Sequence, residues 1–265
     1  MTTPDPGYGR HQKKAKRLVG PVFRALWDIE VTGGENVPSD GPAVLCPNHL
    51  AAIDSFFVPA VLQRALMYVG KAEYLDDWKT SWLFPALGMI PIDRRGGDHA
   101  KVALDTARRV LERGDLFGIY PEGTRSRSGR LHKGHTGAAR LAIATGAPIV
   151  PVGLIGTAEV QPVDATLPKF FKTVQVQFGR PIDVEHYKAR QGDHAVYREL
   201  IDEVMFEISR LTGQTYDSRY ASVVNKEIAA GKPALTAVPS EPVEAAIKPR
   251  SSADVLVTRP LPQTV

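Results

Sequence analysis

The chain has 265 residues, 43% of them hydrophobic and 23% charged, a composition that predicts one large globular domain with short appendages. Its net charge of +4 favours anionic partners such as phospholipid headgroups, phosphates or nucleic acid. Cys46 is the only cysteine, which excludes an intramolecular disulfide and a cysteine-rich metal site. The polar residues 1–11 do not resemble a signal peptide, and no apolar run approaches the ~20 residues that span a bilayer.

Residues 1–35 are predicted to form a basic arm followed by an amphipathic segment that contacts a membrane. Apolar side chains recur at helical spacing from Leu18 to Trp27, with basic residues before and among them, which is typical of a helix in a membrane interface. An ordinary helix packed on the domain is an equal alternative, because Gly20 and Pro21 weaken any helix that begins before them.

Residues 36–225 are predicted to form one domain in which strands and helices alternate. Apolar runs indicate strands at 43–47, 66–70, 88–93, 116–120, 147–155 and 173–178. Apolar positions at helical spacing indicate helices at 53–66, 98–113, 134–145 and 193–211. This alternation predicts an α/β fold with a mostly parallel central sheet flanked by helices. Residues 226–265 are rich in proline and lack apolar periodicity, which predicts a disordered tail.

Residues 48–54 place a histidine and an aspartate five positions apart, directly after the first predicted strand. Histidine can accept a proton near neutral pH, and a carboxylate on its other ring nitrogen fixes the tautomer. Five residues of regular helix turn by about 140°, so His49 must precede the helix for Asp54 to reach it. The alternative interpretation is that Asp54 only caps the next helix and His49 is a loop residue.

Two further segments follow predicted strands, where ligands gather at the sheet edge of α/β folds. Residues 88–94 bring Arg94 to that edge, although a salt bridge between Asp93 and an arginine is an alternative. In residues 120–126, Gly123 permits close approach to a ligand and the guanidinium of Arg125 suits phosphate oxygens. Glu122 is placed to accept a hydrogen bond from a substrate hydroxyl or to hold an arginine, and a plain turn is the alternative.

A fourth segment, residues 149–152, is an apolar strand with a proline, and its simplest interpretation is protein core. In order and spacing, the four segments resemble the four sequence blocks of the glycerolipid acyltransferase family, which contains the 1-acyl-sn-glycerol-3-phosphate acyltransferases. Residues 48–54 match its N-H-x-x-x-x-D block, and residues 120–126 match its P-E-G-T-R-S block at every position. The resemblance covers residues 36–180 and implies the fold of the glycerol-3-phosphate acyltransferases.

The resemblance implies transfer of a fatty acyl group from acyl-CoA or acyl-carrier protein to the sn-2 hydroxyl of lysophosphatidic acid, giving phosphatidic acid. His49 is then the general base and Asp54 orients it, while Arg94 and Arg125 bind the phosphate of the acceptor. The remaining residues expected around the acceptor are Glu122, Gly123, Thr124 and Ser126, with Lys71 and Lys133 as weaker phosphate candidates. No cofactor or metal is expected, because a thioester is already activated.

Several alternatives stay open on the sequence alone. The acceptor could be glycerol 3-phosphate or another lysolipid, and a non-catalytic lipid-binding relative would keep the same fold. A covalent route through Cys46 competes with direct transfer, although cysteine in an apolar run is usually a small buried hydrophobe. Nucleic acid is not an expected partner, because the basic arm lacks interleaved aromatic residues. The expected location is the cytoplasmic face of the cell membrane, held peripherally at an anionic surface.

Overall fold

The computed structural model describes residues 12–71, 88–92 and 99–231. The strands of these residues are β1 (Asp28–Thr32), β2 (Ala43–Pro47), β3 (Leu66–Lys71), β4 (Met89–Ile92), β5 (Leu116–Gly118), β6 (Leu131–His132), β7 (Ile149–Ile155), β8 (Thr173–Phe178) and β9 (Tyr216–Asp217). The helices are α1 (Gln12–Leu26), α2 (Asp54–Val61), α3 (His99–Glu112), α4 (Gly137–Thr145), α5 (Thr157–Val160), α6 (His194–Thr212) and α7 (Ala221–Ala229). Short 3-10 helices occupy Gly34–Asn36 and Glu185–Arg190.

A seven-stranded sheet in the order β1-β8-β7-β2-β5-β3-β4 forms the centre of the domain. Its neighbouring strands are parallel except for β7 and β8, which run antiparallel. The predicted α/β fold with a mostly parallel sheet is confirmed. Because β2, β3, β4, β5 and β7 share one direction, the loops that follow them emerge at the same edge of the sheet.

Both faces of the sheet are covered, and β2 shows this most clearly. All five of its residues are buried. Val44 and Cys46 belong to the core cluster formed with α3, α4 and α6. Ala43 and Leu45 belong to the cluster on the opposite face, which includes side chains of α1 and α2. Alternate residues of a strand point to opposite faces, so a strand buried on both sides is an uninterrupted apolar run.

The predicted boundary between residues 35 and 36 is wrong, because the sheet begins earlier. β1 pairs with β8 from Asp28 to Thr32 and forms an edge of the central sheet. The end of α1 packs on the domain: the rings of Phe23 and Phe57 lie 5.6 Å apart, and Trp27 is buried. The packed-helix alternative therefore describes this end of α1. Contact of the segment with a membrane stays a prediction.

The boundary predicted between residues 225 and 226 is also wrong, because it falls inside α7. Ala221 and Val224 are buried on one side of this helix, which continues to Ala229. The apolar positions of α7 are too few to give a periodic signal in the sequence. Residues 232–265 lie outside the described part of the chain. Among the described helices, none is long and apolar enough to cross a membrane.

Gly153 is required by the close packing of β7 against α6. A Cβ atom at this position would lie 2.8 Å from Cβ of Leu211, so the helix would have to move. We expect Gly153→Ala to lower the free energy of unfolding by about 1–3 kcal/mol. Urea unfolding measures the change, with Gly34→Ala as the control, because a Cβ at Gly34 meets nothing within 4 Å. Equal stabilities of the two variants would contradict this account.

Candidate active site at the carboxyl edge of the sheet

The site forms where the loops that follow β2 and β5 meet. The two strands are parallel neighbours, with Leu45 opposite Gly118. Two residues beyond each strand end lie His49 and Tyr120, whose rings stack with centroids 3.9 Å apart and an interplanar angle of 18°. Strand pairing thus brings the first and third sequence blocks into contact, although they are some seventy residues apart in the chain.

His49 and Asp54 contact each other as the sequence predicted. His49 lies in the loop before α2, and its Nδ1 is 2.9 Å from Oδ2 of Asp54, the first residue of the helix. The same oxygen accepts hydrogen bonds from the backbone N–H groups of Leu50 at 2.7 Å and Ala51 at 2.8 Å. Asp54 therefore folds the loop back on itself instead of merely capping the helix.

This arrangement determines which nitrogen of His49 is available for chemistry. Asp54 is fully buried and accepts hydrogen bonds from its neighbours, so Nδ1 of His49 is assigned as the donor to Oδ2. The lone pair then lies on Nε2. The side chain of His49 is 16% exposed, so the ring is sheltered but not sealed from a ligand. A neutral imidazole with a free Nε2 is the form that can accept a proton.

Glu122 holds two loops together. It is 1% exposed. Its Oε1 accepts a hydrogen bond from the backbone N–H of His49 at 3.0 Å, and its Oε2 accepts one from the backbone N–H of His132 at 2.9 Å. Burial raises the pKa of Glu122 to about 7, although these two hydrogen bonds oppose the shift. Contact of Glu122 with substrate was predicted, but the geometry assigns this side chain to positioning His49.

Ser126 has a similar positioning role. Its backbone N–H donates to the carbonyl of His49 at 2.8 Å, and its buried hydroxyl donates to the carbonyl of Arg130 at 2.7 Å. Ser126 thus also supports the loop rather than facing a ligand.

Gly123 has a φ of +73°, and a Cβ there would lie 3.0 Å from the ring of His135. A side chain is therefore excluded at Gly123, and the exposed backbone of this turn borders the site.

Arg125 lies in the third block, two residues after Gly123. It is half-buried and forms no ion pair with any described carboxylate. Its carbonyl accepts a hydrogen bond from Nδ2 of Asn225 at 2.8 Å, which ties this loop to α7. Thr124 beside it is also half-buried. Binding of the acceptor by Arg125 and Thr124 stays a prediction.

The other predicted phosphate ligands are only partly placed. Lys71 is the last residue of β3 and lies opposite Ile92 of β4, so its backbone is at the same edge of the sheet. Arg94 lies outside the described residues, two positions beyond the end of β4. Nζ of Lys133 is 5.7 Å from the ring centroid of Tyr220, farther along the rim of the third block.

Asn48 has a structural role that its position beside His49 does not reveal. Its fully buried side chain accepts a hydrogen bond from the backbone N–H of Leu154 at 2.7 Å and donates to the carbonyl of Leu154 at 3.0 Å. It also donates to Oε1 of Gln214 at 2.8 Å. Asn48 thus connects the end of β2 to β7 and to the segment after α6. The periodicity of apolar residues along the sequence does not reveal hydrogen bonds of this kind between distant segments.

Glu122 gives the free energy of unfolding a specific pH dependence. Burial raises its pKa from 4.5 to about 7, so between these values the folded chain holds a proton that the unfolded chain has released. The contribution of Glu122 to stability therefore falls as the pH rises through this interval and is constant above it. Glu122→Gln cannot ionise and lacks this dependence.

Urea unfolding of both proteins from about pH 5 to about pH 8 measures the effect. We expect the wild type to lose stability relative to Glu122→Gln up to about pH 7, with no further relative change above it. A difference between the two proteins that stays constant across the series would contradict the pKa assigned to Glu122.

Comparison with known proteins finds acyltransferases that are similar to the segment carrying this site. A family model described as Acyltransferase matches residues 28–155, which include all four sequence blocks. A 1-acyl-sn-glycerol-3-phosphate acyltransferase of Borreliella burgdorferi is 32% identical over 137 residues, which is 50% of this chain and 55% of that protein. The alpha form from Homo sapiens is 33% identical over 130 residues, 47% of this chain and 44% of that protein.

Chloroplast relatives with the same activity in their names show a similar relation. The Brassica napus protein is 26% identical over 161 residues, 58% of this chain and 46% of its own length. The Arabidopsis thaliana protein is 29% identical over 153 residues, 57% of this chain and 43% of its own length. The matched part of this chain thus spans about half the length of these relatives.

A solved structure agrees with the fold. The crystal structure of the 1-acyl-sn-glycerophosphate acyltransferase of Thermotoga maritima matches with a TM-score of 0.61 and 23% identity. The match covers 76% of this chain and 79% of that one. The family that the four sequence blocks resembled is the family whose model matches the segment carrying the site. Residues 28–155, just under half of the chain, are therefore the part of this protein that is similar to the acyltransferase family model.

Proposed function

We propose that the protein transfers a fatty acyl group from an acyl thioester to the sn-2 hydroxyl of 1-acyl-sn-glycerol 3-phosphate, giving phosphatidic acid. The observation that carries the proposal is the contact between His49 and Asp54, in which Nδ1 faces the carboxylate and Nε2 remains free. The names of the relatives supply the acceptor, and the sequence blocks supply the residue roles.

The reaction is a direct transfer with a balanced proton path. The acceptor hydroxyl gives its proton to Nε2 of His49 while its oxygen attacks the thioester carbonyl carbon. Asp54 holds the ring in the tautomer that can accept this proton. The tetrahedral intermediate then collapses, the carbon–sulfur bond breaks, and the thiolate leaves with the proton from His49. General-base catalysis of this kind contributes about 10²–10⁴-fold to a rate.

Binding of the acceptor depends on the arginines of the second and third blocks. Arg125 presents a guanidinium without a described acidic partner, and this planar group suits two phosphate oxygens at once. Arg94 is proposed as the second phosphate ligand. The phosphate group of one lysophosphatidic acid molecule binds both Arg94 and Arg125 in this proposal. Glycerol 3-phosphate and other phosphate-bearing lysolipids remain acceptors of the same class.

The ring that stacks on His49 borders a small apolar cavity. A narrow apolar cavity lies under Tyr120, and its wall is formed by residues of α2 and of the strands β2, β3 and β5, namely Leu45, Pro47, Ser55, Val58, Pro59, Leu66, Tyr68 and Gly118. The hydroxyls of Ser55 and Tyr120 lie 3.2 Å apart at this cavity. The cavity has room for about one water molecule, so an acyl chain would enter it only after the surrounding side chains move apart. The donor is acyl-CoA or acyl-carrier protein.

A covalent intermediate on Cys46 does not fit this site. The thiol is fully buried in the core cluster beneath α4, and burial raises the pKa of Cys46. The thiolate is the nucleophilic form of cysteine, so a buried thiol that stays protonated is unreactive. Cys46 also alternates with Leu45 and Pro47, which line the cavity on the opposite face of the sheet.

The membrane is the proposed source of the lipid acceptor, at the cytoplasmic face of the cell membrane. Basic residues recur between Arg10 and Arg17, most of them in the first turns of α1, and each is worth about 1 kcal/mol of attraction near an anionic surface. Peripheral attachment and the absence of a nucleic-acid partner are proposals from the sequence. The second candidate function, a non-catalytic lipid-binding relative, differs only in lacking turnover, and the buried His49–Asp54 pair favours the enzyme.

Replacement of the histidine tests the proposal. We expect His49→Ala to lower kcat by about 10²–10⁴-fold while the KM for lysophosphatidic acid changes little, because the phosphate ligands remain. Mass spectrometry of phosphatidic acid formed from acyl-CoA or acyl-carrier protein measures the rate. His186→Ala is the matched control, since this exposed histidine lies on the 3-10 helix away from the site. A wild type that binds lysolipid but turns over no donor would favour the binding module.

Removal of the thiol tests the direct mechanism separately. We expect Cys46→Ala to keep most of the kcat, because the buried thiol takes no part in the reaction. A lower thermal midpoint is allowed, since the change leaves a small cavity in the core. Complete loss of turnover in a variant that still unfolds cooperatively would support a covalent route instead.

A further inference from the structure

The loop between α5 and β8 exposes large apolar side chains. We call residues 161–172 the docking loop. Three of its side chains are strongly exposed: Leu167 by 78%, Phe170 by 49% and Phe171 by 82%. Val22 of α1, in the helix on which this loop rests, is also exposed. Single exposed apolar residues are common, but several on one short loop mark an interaction surface.

The backbone holds these side chains outward. Phe171 has a φ of +59° and is the one non-glycine residue with positive φ among those described. This conformation is unfavourable for a bulky side chain, so the surroundings must impose it. The N–H of Phe171 donates to the carbonyl of Leu26 at 2.7 Å, and Nε1 of Trp27 donates to the carbonyl of Lys169 at 2.8 Å. The loop is thus anchored on a buried tryptophan while Phe171 projects away.

Basic residues flank the exposed aromatic pair. Lys169 and Lys172 stand on either side of Phe170 and Phe171, and both are exposed. Neither lysine forms an ion pair with a described carboxylate, and the same holds for the exposed Arg24 on α1. Aromatic side chains surrounded by unpaired cations match a surface that is apolar inside and anionic at its rim. An anionic lipid bilayer has this arrangement.

The docking loop is also joined to the candidate active site. At its start, Oε1 of Gln161 accepts a hydrogen bond from the backbone N–H of Ile53 at 3.0 Å, directly before Asp54. A few residues later, Asp164 pairs at 3.0 Å with Arg127, the residue directly after the third block. The loop therefore begins beside the segment of His49 and Asp54 and ends at β8, the strand next to the edge strand β1. A bilayer bound to the loop would lie close to the entrance of the site.

We infer that the docking loop is a membrane-docking surface, with Leu167, Phe170 and Phe171 entering the apolar layer of an anionic bilayer. Lys169 and Lys172 contact the lipid headgroups. The surface is separate from the basic arm and adds a second point of attachment. The inference rests on the proposed function only for the lipid nature of the substrate, which would then reach His49 laterally.

Phe171→Asn tests the surface without removing the contact of Phe170 with Trp27. Asparagine tolerates positive φ, so we expect the thermal midpoint of the variant to be unchanged or higher. Partition of the full chain onto vesicles of phosphatidylglycerol and phosphatidylcholine should fall by about tenfold. Phe206→Asn is the matched control, because this phenylalanine is 63% exposed on α6 in the opposite helix layer. An equal loss in both variants, or none in Phe171→Asn, would overturn the inference.

A charge reversal tests the headgroup contacts. We expect Lys169→Glu with Lys172→Glu to weaken partition onto these vesicles by about tenfold or more, and added salt to reduce the difference. Lys101→Glu, an exposed lysine on α3, is the control and should change little. Partition that the reversal leaves unchanged would overturn the inference. Size-exclusion chromatography showing that Phe171→Asn abolishes self-association but not vesicle binding would assign the surface to a second copy of the chain.

Vesicle binding is measured without substrate, so its outcome is independent of the proposed function. A wild type that binds vesicles through the docking loop but forms no phosphatidic acid would refute the enzyme and keep the surface. A wild type with turnover, whose Phe171→Asn variant partitions normally, would keep the enzyme and refute the surface. Turnover of Phe171→Asn on a short-chain acceptor below its micellar concentration should equal that of the wild type.

Discussion

The parallel pairing of β2 with β5 is the constraint on which the candidate site depends. Neighbouring parallel strands end side by side, so the loops that follow them must share a small volume. In this volume the ring of His49 stacks on Tyr120, and the backbone of His49 is held by Glu122 and Ser126. A sheet with another strand order would separate these loops. The chemistry of the site is therefore a consequence of the sheet topology.

The two buried carboxylates at this edge, Asp54 and Glu122, have different roles because they accept hydrogen bonds from different donors. Asp54 faces a side-chain nitrogen that can carry charge, so it acts on the imidazole of His49. Glu122 faces only backbone N–H groups, so it acts on the position of the loops. Burial opposes ionisation in such a site, which is why the pKa of Glu122 is raised to about 7. Asp54 thus orients the imidazole of His49, whereas Glu122 holds the loops in position.

Elements outside the matched segment complete the site. Asn225 of α7 bonds the carbonyl of Arg125 and the backbone N–H of Arg127, and Gln214 bonds Asn48. The docking loop likewise contacts the segment of His49 and Asp54, through the hydrogen bond of Gln161 with Ile53. The edge that carries the candidate site is therefore supported from both sides by parts of the chain that carry no recognisable block. Supporting residues of this kind hold functional side chains in place through hydrogen bonds. Such bonds depend on the positions of the donor and acceptor atoms more than on a recognisable sequence motif.

The sequence alone predicts the α/β class, six of the seven strands of the central sheet and the contact between His49 and Asp54. It does not predict β1 or the short strands β6 and β9. Strands buried on both faces appear as uninterrupted apolar runs, and the spacing of the pair required the histidine to precede the helix. The sequence also predicted that Glu122 and Ser126 face a ligand, which the structure does not support. Residue type shows that a carboxylate can bind a hydroxyl, but not that backbone N–H groups already occupy both of its oxygens.

Only the tertiary structure decided the contacts between segments that are distant in the chain. The membership of β1 in the sheet follows from its pairing with β8, some 145 residues later in the chain. The bridge from Asn48 to Leu154 and the outward position of Phe171 depend likewise on partners that arrive from elsewhere. Local propensity and periodicity describe neighbours along the chain, whereas hydrogen bonds across a sheet edge depend on which strands lie side by side. That order is set by the packing of the whole domain.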